Sequence, residues 1–306
     1  MQYLHKKIIR HFIWINDRGV IVQVENSLKS LLAHAIEKKG SELHICPSSS
    51  PFIRVNGCLE KTDLAPINAS DIKKIIESTY MLDTSIKRKI DIEQSVSYTF
   101  SINGFGRFRA CTYQQRGTTA ITIRILPFEV PTLDTLGYGE EFKNAVHEIM
   151  ELRKGLFLIQ GLPDSGKTST LAGIIDCFNE YKSKHLTTIE DTIEYLHQHR
   201  NSIVTQKEIG TDVSDLKSAL ARSINHNADV IAVDEIKVNK DDLMFLIEAS
   251  EEKLVLACMK KVIDGEYFKN ILSDSNYIRF NKALGGTIVQ KYENGVFSFD
   301  FYREEG

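Results

Sequence analysis

The sequence has 306 residues, of which 42% are hydrophobic and 26% are charged. This length suits two domains of ordinary size, and the apolar share is large enough for a sizeable core. The 38 Lys and Arg residues nearly balance the 41 Asp and Glu residues, giving a net charge of -3. That balance argues against a nucleic-acid-binding protein, which usually carries a basic excess.

The first 26 residues contain basic side chains, including Lys6, Lys7 and Arg10. Their apolar runs are too short for a membrane-spanning helix, which needs roughly 20 apolar residues, so we expect no transmembrane segment here. We predict an amino-terminal extension over 1–26, formed by a β-hairpin with its turn at 16–19. An alternative is that the basic face of this extension contacts a membrane surface.

Residues 27–130 mix short helices with β-rich segments. Apolar residues at helical spacing predict helices over 28–39 and 70–80. The predicted strands cover residues 42–46, 52–56, 95–102, 106–114 and 118–126. This pattern predicts an α+β domain with an antiparallel sheet and helices on one face.

Prolines and glycines between residues 127 and 139 mark a domain boundary. We therefore predict a first domain over 27–130, a linker over 131–150 and a second domain over 151–306. In the second domain apolar strands alternate with helices, which predicts an α/β domain with a mostly parallel sheet. Its predicted strands are 156–160, 186–190, 203–204, 230–233 and 254–259, and its predicted helices are 168–178, 216–224 and 241–250.

The five cysteines do not form a CxxC pair, so a zinc ribbon is not expected. Their wide spacing is typical of free thiols in a reducing compartment. They are Cys46, Cys58, Cys111, Cys177 and Cys258.

Residues 161–168 read GLPDSGKT and match the phosphate-loop pattern G-x-x-x-x-G-K-[ST] between an apolar strand and a helix. Glycines let the backbone approach a phosphate chain, and the helix amino terminus attracts the anion. The lysine supplies a positive charge to the β and γ oxygens, and the threonine offers a hydroxyl to Mg²⁺. The predicted nucleotide-binding residues of this segment are Gly161, Ser165, Gly166, Lys167, Thr168 and Ser169.

Two residues of this loop do not suit phosphate binding. Pro163 has no N–H to donate. The Asp164 carboxylate would repel a polyanion if it pointed inward, so we predict that it points outward.

Carboxylates follow two of the predicted strands in the second domain. Asp234 and Glu235 end the apolar run that begins at residue 230, and Glu190 ends the run 186–190. Ligands of an open α/β sheet bind at the carboxyl ends of its strands. We predict that Asp234 holds Mg²⁺ together with Thr168, that Glu235 acts on the attacking water, and that Glu190 polarises water or metal from the opposite side. The alternative is that these acids are ordinary exposed charges at strand ends.

Several segments together resemble one family. They are residues 40–44, 53–57, 106–110 with Gln114, Arg116 and Arg124, 188–195 and 229–235. In this order and spacing they resemble the secretion-type traffic ATPases, most closely the type IV pilus retraction (PilT-like) ATPases. The resemblance covers residues 27 to 289.

The resemblance implies a PAS-like amino-terminal domain hinged to a RecA-like P-loop domain, with ATP or ADP and Mg²⁺ as cofactors. It also implies a ring, either a homo-hexamer or a mixed ring with a related ATPase. That ring would be cytoplasmic and peripheral at the inner membrane, under a pilus platform protein. Arg107, Arg109 and Arg124 match family arginines that reach the phosphates.

The chain departs from the family pattern at positions near the phosphates. Pro163-Asp164 replace Thr-Gly, Lys253 and Lys260 replace the two histidines of the His box, and Asp234 replaces a glycine. Ala221 and Asn225 stand where the family has arginines. Three hypotheses therefore stay open: an ATP-hydrolysing retraction motor, a nucleotide-binding subunit that assembles with an active ATPase, and a traffic ATPase of secretion or DNA uptake.

Overall fold

The computed structural model describes residues 28–80, 84–103, 105–127, 129–293 and 296–302. The predicted hairpin over 1–26 lies outside these ranges. The chain divides into two compact units, residues 1–128 and 129–306.

The first unit contains a six-stranded sheet whose strand order is β3-β2-β1-β6-β5-β4. Its strands are β1 (Glu42–Ile45), β2 (Phe52–Val55), β3 (Cys58–Lys61), β4 (Ser95–Ile102), β5 (Gly106–Gln115) and β6 (Thr118–Ile125). Every pairing within it is antiparallel, which confirms the predicted sheet. β3 was not predicted from the sequence, because all four of its residues are exposed and it therefore lacks an alternating apolar pattern.

Helices cover one face of this sheet. They are α1 (Leu28–Glu37), α2 (Ala69–Thr79) and α3 (Thr84–Ile92). α1 and α2 bury apolar residues at helical spacing, such as Ile72, Ile75 and Ile76 on α2. Asn68 caps α2, since its side chain accepts from the backbone N–H of Asp71 at 2.9 Å.

The second unit contains a seven-stranded sheet of order β13-β12-β7-β11-β10-β8-β9. Its strands are β7 (Gly155–Gln160), β8 (His185–Glu190), β9 (Ile203–Glu208), β10 (Val230–Ile236), β11 (Leu254–Met259), β12 (Leu284–Glu293) and β13 (Val296–Tyr302). All pairings are parallel except that of β12 with β13, which confirms the prediction of a mostly parallel sheet.

Helices cover both faces of the second sheet. They are α4 (Glu140–Met150), α5 (Lys167–Tyr181), α6 (Leu216–Asn225), α7 (Lys240–Ser250), α8 (Gly265–Ile271) and α9 (Asp274–Ala283). Residues of β10 alternate between two apolar cores: Ile231 and Val233 pack with α6 to α9, and Val230 and Ala232 pack with α4 and α5. Among the described residues no helix is both long and apolar enough to cross a membrane.

The stretch predicted as a linker contains a regular element. α4 buries Phe142, Val146, Ile149 and Met150 in the core beside α5. The glycines and prolines before residue 140 indicated a linker, but they end where the apolar spacing of this helix begins.

A buried hydrogen-bond chain joins distant parts of the second unit. The Tyr138 hydroxyl lies 2.6 Å from the Thr170 hydroxyl, which donates to Gln290 Oε1 at 2.9 Å. Tyr138 precedes α4, Thr170 lies on α5, and Gln290 lies on β12. Because all three side chains are buried, each polar group depends on the others for a partner.

Candidate functional site

The loop between β7 and α5 turns sharply at two residues with left-handed backbone. Gly166, the N-cap of α5, has φ 86°, and Asp164 has φ 61°. Glycine adopts this region without strain, whereas an aspartate does so at some cost. Asp164 is exposed, as its charge predicts, and so is Pro163.

Gly161 begins the loop at a point where the backbone is closely surrounded. A Cβ at this position would lie 2.5 Å from Ser165 Oγ and 2.7 Å from the Gln290 carbonyl oxygen. The Gly161 N–H also donates to the Met259 carbonyl at 3.2 Å. Glycine is therefore required here to keep the loop against β11 and β12.

We predict that Gly161→Ala destabilises the protein by about 1–3 kcal/mol, because the backbone of β12 cannot move away easily. The substitution would also weaken ADP binding, since the loop would shift. Urea unfolding and calorimetry with ADP measure the two effects. Gly265→Ala is the matched control, because its Cβ would meet only Tyr277 Oη at 3.6 Å. Equal stability of the two variants would contradict the prediction.

The first turn of α5 offers an environment suited to an anion. Among the residues that the structure describes, no backbone carbonyl accepts from the N–H groups of Lys167 or Thr168. Lys167 Nζ donates to the Leu162 carbonyl at 2.6 Å and to Ser165 Oγ at 3.4 Å, so the ammonium lies inside the loop. Burial lowers the pKa of Lys167. A buried cation beside free N–H donors at a helix amino terminus is a favourable phosphate site.

Thr168 and Asp234 form a pair of oxygen ligands beside this loop. Thr168 Oγ1 lies 3.1 Å from both carboxylate oxygens of Asp234, which projects from the end of β10. Burial raises the pKa of Asp234 to about 6, because an isolated carboxylate is poorly solvated there. Hydroxyl and carboxylate oxygens are the ligands that Mg²⁺ prefers, so the residues present fit this ion. Bound Mg²⁺ would neutralise charge on the phosphates.

Glu235 follows Asp234 and points elsewhere. Its backbone has φ 77°, and its carboxylate forms an ion pair with Lys260, which follows the adjacent strand β11. Of the two lysines at the His-box positions, only Lys260 is therefore near these acids. Lys253 immediately precedes β11, at the strand end opposite to Lys260, and donates to Asn227 Oδ1 at 2.9 Å.

Glu190 is buried at the end of β8. Its Oε1 accepts from Thr188 Oγ1 at 2.5 Å and from Gln206 Nε2 at 3.2 Å. Burial nevertheless raises the pKa of Glu190 to about 7, and the nearby Asp234 carboxylate adds to the rise. The side chain is thus held in place by donors, while its charged form is disfavoured.

We predict that Glu190 makes the free energy of unfolding fall as pH rises. Its folded pKa of about 7 exceeds the ordinary value of 4.5, so its contribution is complete below pH 4.5 and is lost as pH rises through 7. Between pH 5 and pH 8 the loss is about 2–3 kcal/mol. In Glu190→Gln, which mimics the protonated carboxyl, this pH-dependent loss of stability would be absent. Urea unfolding of both proteins without nucleotide or Mg²⁺ tests this, and identical pH profiles would contradict it.

A small cavity lies between α5 and the ends of β8 and β10. Its volume of about 20 Å³ is enough for one water molecule. Its polar lining comprises Thr168, Thr188, Glu190, Tyr195, His197 and Asp234. The Tyr195 hydroxyl also lies 2.7 Å from Ser169 Oγ, so the segment after β8 is hydrogen-bonded to the first turn of α5.

The structure thus brings together the sequence-predicted residues of the second unit. Gly161, Ser165, Gly166, Lys167, Thr168, Ser169, Glu190, Asp234 and Glu235 all lie at the carboxyl ends of β7, β8 and β10 or in the loop and helix that follow β7. Three further residues at this place were not assigned roles from the sequence: Tyr195, His197 and Gln206. Gln206 was missed because the predicted strand ended at residue 204, whereas β9 continues to Glu208.

The three predicted arginines lie in the first unit, on the sheet face opposite its helices. Arg109 and Arg124 are directly opposite each other on β5 and β6. Arg107 Nη2 donates to Thr99 Oγ1 at 3.0 Å. Their contact with phosphate stays a prediction.

Comparison with known proteins finds one protein family over most of the chain. Residues 18–252 match the family described as Type II/IV secretion system protein. The type IV pilus retraction ATPase PilT of Pseudomonas aeruginosa is 31% identical over 212 residues, which cover 69% of this chain and 59% of PilT. The type IV pilus ATPase PilU of the same organism is 29% identical over 209 residues, covering 68% of this chain and 53% of PilU. The matched part is thus less than two thirds of either relative.

Solved structures show the same fold. The crystal structure of the pilus retraction motor PilT with bound ADP matches with a TM-score of 0.82 and 27% identity, covering 92% of this chain and 84% of that one. The ATPase DotB of Legionella pneumophila matches with a TM-score of 0.74 at 19% identity, covering 90% of this chain and 80% of DotB.

Proposed function

We propose that this chain, which belongs to the family of type II/IV secretion system proteins, is an ATPase subunit of the type IV pilus machinery that couples ATP hydrolysis to pilus retraction. The observation that carries the proposal is the cluster of Lys167, Thr168, Asp234 and Glu235 around one loop. PilT, whose fold matches this chain, was crystallised with ADP.

In this proposal the backbone of the loop and Lys167 hold the phosphates, and Thr168 and Asp234 hold Mg²⁺. Glu235 accepts a proton from the attacking water, and Glu190 polarises water or metal from the opposite side. Arg107, Arg109 and Arg124 would contribute positive charge from the first unit. The Glu235 carboxylate and the positive charge of Lys167 would be needed together, because transfer of a phosphoryl group to water depends on positioning and on neutralising charge.

The proposed assembly is a ring, as the family resemblance implies. We infer a hexameric ring, either of this chain alone or mixed with a related ATPase, that works at the cytoplasmic side of the inner membrane. Its partner there would be the pilus platform protein. PilT and PilU are both pilus ATPases and come from one organism, so that organism holds two relatives of this chain from which a mixed ring could be formed.

A second candidate is a nucleotide-binding subunit with little or no hydrolysis of its own. The ion pair between Glu235 and Lys260 favours it, because the carboxylate proposed to act on the attacking water is engaged by an ammonium instead. Lys253, which replaces the other histidine, immediately precedes β11 and therefore lies at the strand end opposite to Lys260. In this reading the chain binds ATP and acts through an active partner ATPase.

Phosphate release from Mg-ATP separates the two candidates. It is measured for the purified protein alone and for the protein together with a related pilus ATPase. Turnover by the chain alone that is lost in Glu235→Gln supports the motor. Tight ATP binding in calorimetry without turnover, together with stimulation of the partner, supports the accessory subunit. Absence of heat with ATP or ADP at millimolar concentration would refute both.

A further inference from the structure

One glutamine side chain on β9 joins Glu190 to the segment that follows β8. Gln206 Oε1 accepts from the backbone N–H of His197 at 2.9 Å. Its Nε2 donates to Glu190 Oε1 at 3.2 Å and to the Tyr195 carbonyl oxygen at 2.8 Å. The amide therefore uses its acceptor and both donor hydrogens, and replacing it would leave three groups without this partner.

The parallel register places Gln206 beside the strand that ends at Glu190. It lies opposite Thr188 in the pairing of β8 with β9. Thr188 also donates to Glu190 Oε1, so two donors from neighbouring strands hold the same carboxylate oxygen. A carboxylate fixed at one oxygen by two donors has little freedom to rotate, which sets the direction of the other oxygen.

The same glutamine also holds the segment that carries Tyr195. Gln206 bonds to the backbone of Tyr195 and His197, and the Tyr195 hydroxyl contacts Ser169 in the first turn of α5. His197 and Tyr195 line the small cavity together with Glu190 and Asp234. Gln206 thus connects Glu190 with the helix that begins at Lys167, without lining that cavity itself.

We propose that Gln206 is a positioning residue that orients Glu190 for nucleotide hydrolysis. This inference rests on the proposed ATPase function. Gln206 acts through Glu190 and does not touch the phosphates. Removing the hydrogen-bonding partners that orient metal-ligating side chains typically changes metal affinity or activity by about 10–100-fold, and we expect an effect of this size for Gln206.

A double-mutant cycle tests the inference, using wild type, Gln206→Met, Glu190→Gln and the double variant. We expect Gln206→Met to lower kcat about 10–100-fold while KM for ATP and the Kd for ADP change less than about threefold. In the Glu190→Gln background the same change would lower kcat less than about twofold, since its effect passes through Glu190. Gln198→Met, at an exposed glutamine, is the control and would match wild type.

Two results overturn the inference. One is an equal loss of kcat from Gln206→Met with Glu190 and without it. The other is a parallel loss of ADP affinity, which would indicate general damage to the fold. Absence of turnover in wild type refutes the proposed hydrolysis instead, so the two failures are distinguishable.

Hydrogen exchange gives a readout that is independent of turnover. The His197 amide, which donates to Gln206, would exchange about tenfold faster or more in Gln206→Met, while the amides of β10 would be unchanged. Unchanged exchange at His197 would show that Gln206 does not hold this segment and would overturn the proposal whatever the kinetics.

Discussion

Replacing Glu235 with glutamine is expected to lower phosphate release from Mg-ATP by about 10²–10⁴-fold, because the variant lacks the carboxylate that accepts a proton from water. Glutamine keeps the size of the side chain, but it cannot form the ion pair with Lys260. ADP affinity would change little, since the predicted phosphate contacts come from the loop and α5. A steady-state phosphate assay with calorimetry measures both quantities.

The control for this prediction is Glu252→Gln, which changes an exposed acid after α7. Its turnover is expected to equal that of wild type. If Glu235→Gln and Glu252→Gln hydrolyse ATP at the same rate, Glu235 is not the base. If Glu235→Gln is inactive and also fails to bind ADP, its effect is on the fold of the site.

Replacing Lys167 with methionine is expected to weaken ADP binding by about 30-fold or more. Removing one partner of an enclosed charge pair costs about 2–5 kcal/mol, and here the phosphates would lose the buried ammonium that faces into the loop. Methionine retains most of the apolar stem, so the packing of this buried side chain is largely preserved. Calorimetry with ADP in the presence of Mg²⁺ measures the loss.

Lys253→Met is the matched control for this substitution. Lys253 is also a lysine of the second unit, and it donates to Asn227 Oδ1 at 2.9 Å, but it immediately precedes β11, whereas Lys260 immediately follows that strand. Its removal is expected to leave ADP affinity within about twofold of wild type. Equal affinities of the Lys167→Met and Lys253→Met variants would show that the loop is not the nucleotide site.

The parts of the fold that could be predicted from the sequence are those with a strong local pattern. The apolar run at the start of β10 and the run 254–259 predicted buried parallel strands, since both faces of such strands are covered. α4 carries an equally regular pattern, with Phe142, Val146 and Ile149 on one face. It was not predicted, because the prolines and glycines before residue 140 indicated an irregular linker. β12 and β13 were not predicted either, and β12 begins with Leu284-Gly285-Gly286, where glycine is disfavoured in a strand.

The site could be predicted only as far as it is local in sequence. Residues 161–168 form a contiguous motif, and their chemistry can be inferred from that motif alone. The pairs Thr168–Asp234 and Glu235–Lys260 depend on which strands are neighbours and on their register. The three hydrogen bonds of Gln206 depend further on where β9 ends. Such contacts cannot be inferred from local spacing, because they are decided by the packing of the whole sheet.

The bond between Thr170 and Gln290 has a consequence for synthesis of the protein in the cell. The two residues are 120 positions apart, and β12 lies directly beside the strand that leads into the loop. A ribosome adding about 5–20 residues per second needs about 6–24 s to make that length of chain. During this interval the newly made α5 has neither Gln290 nor the edge of β12 against it. A growing chain therefore acquires the complete loop environment only after β12 has been synthesised.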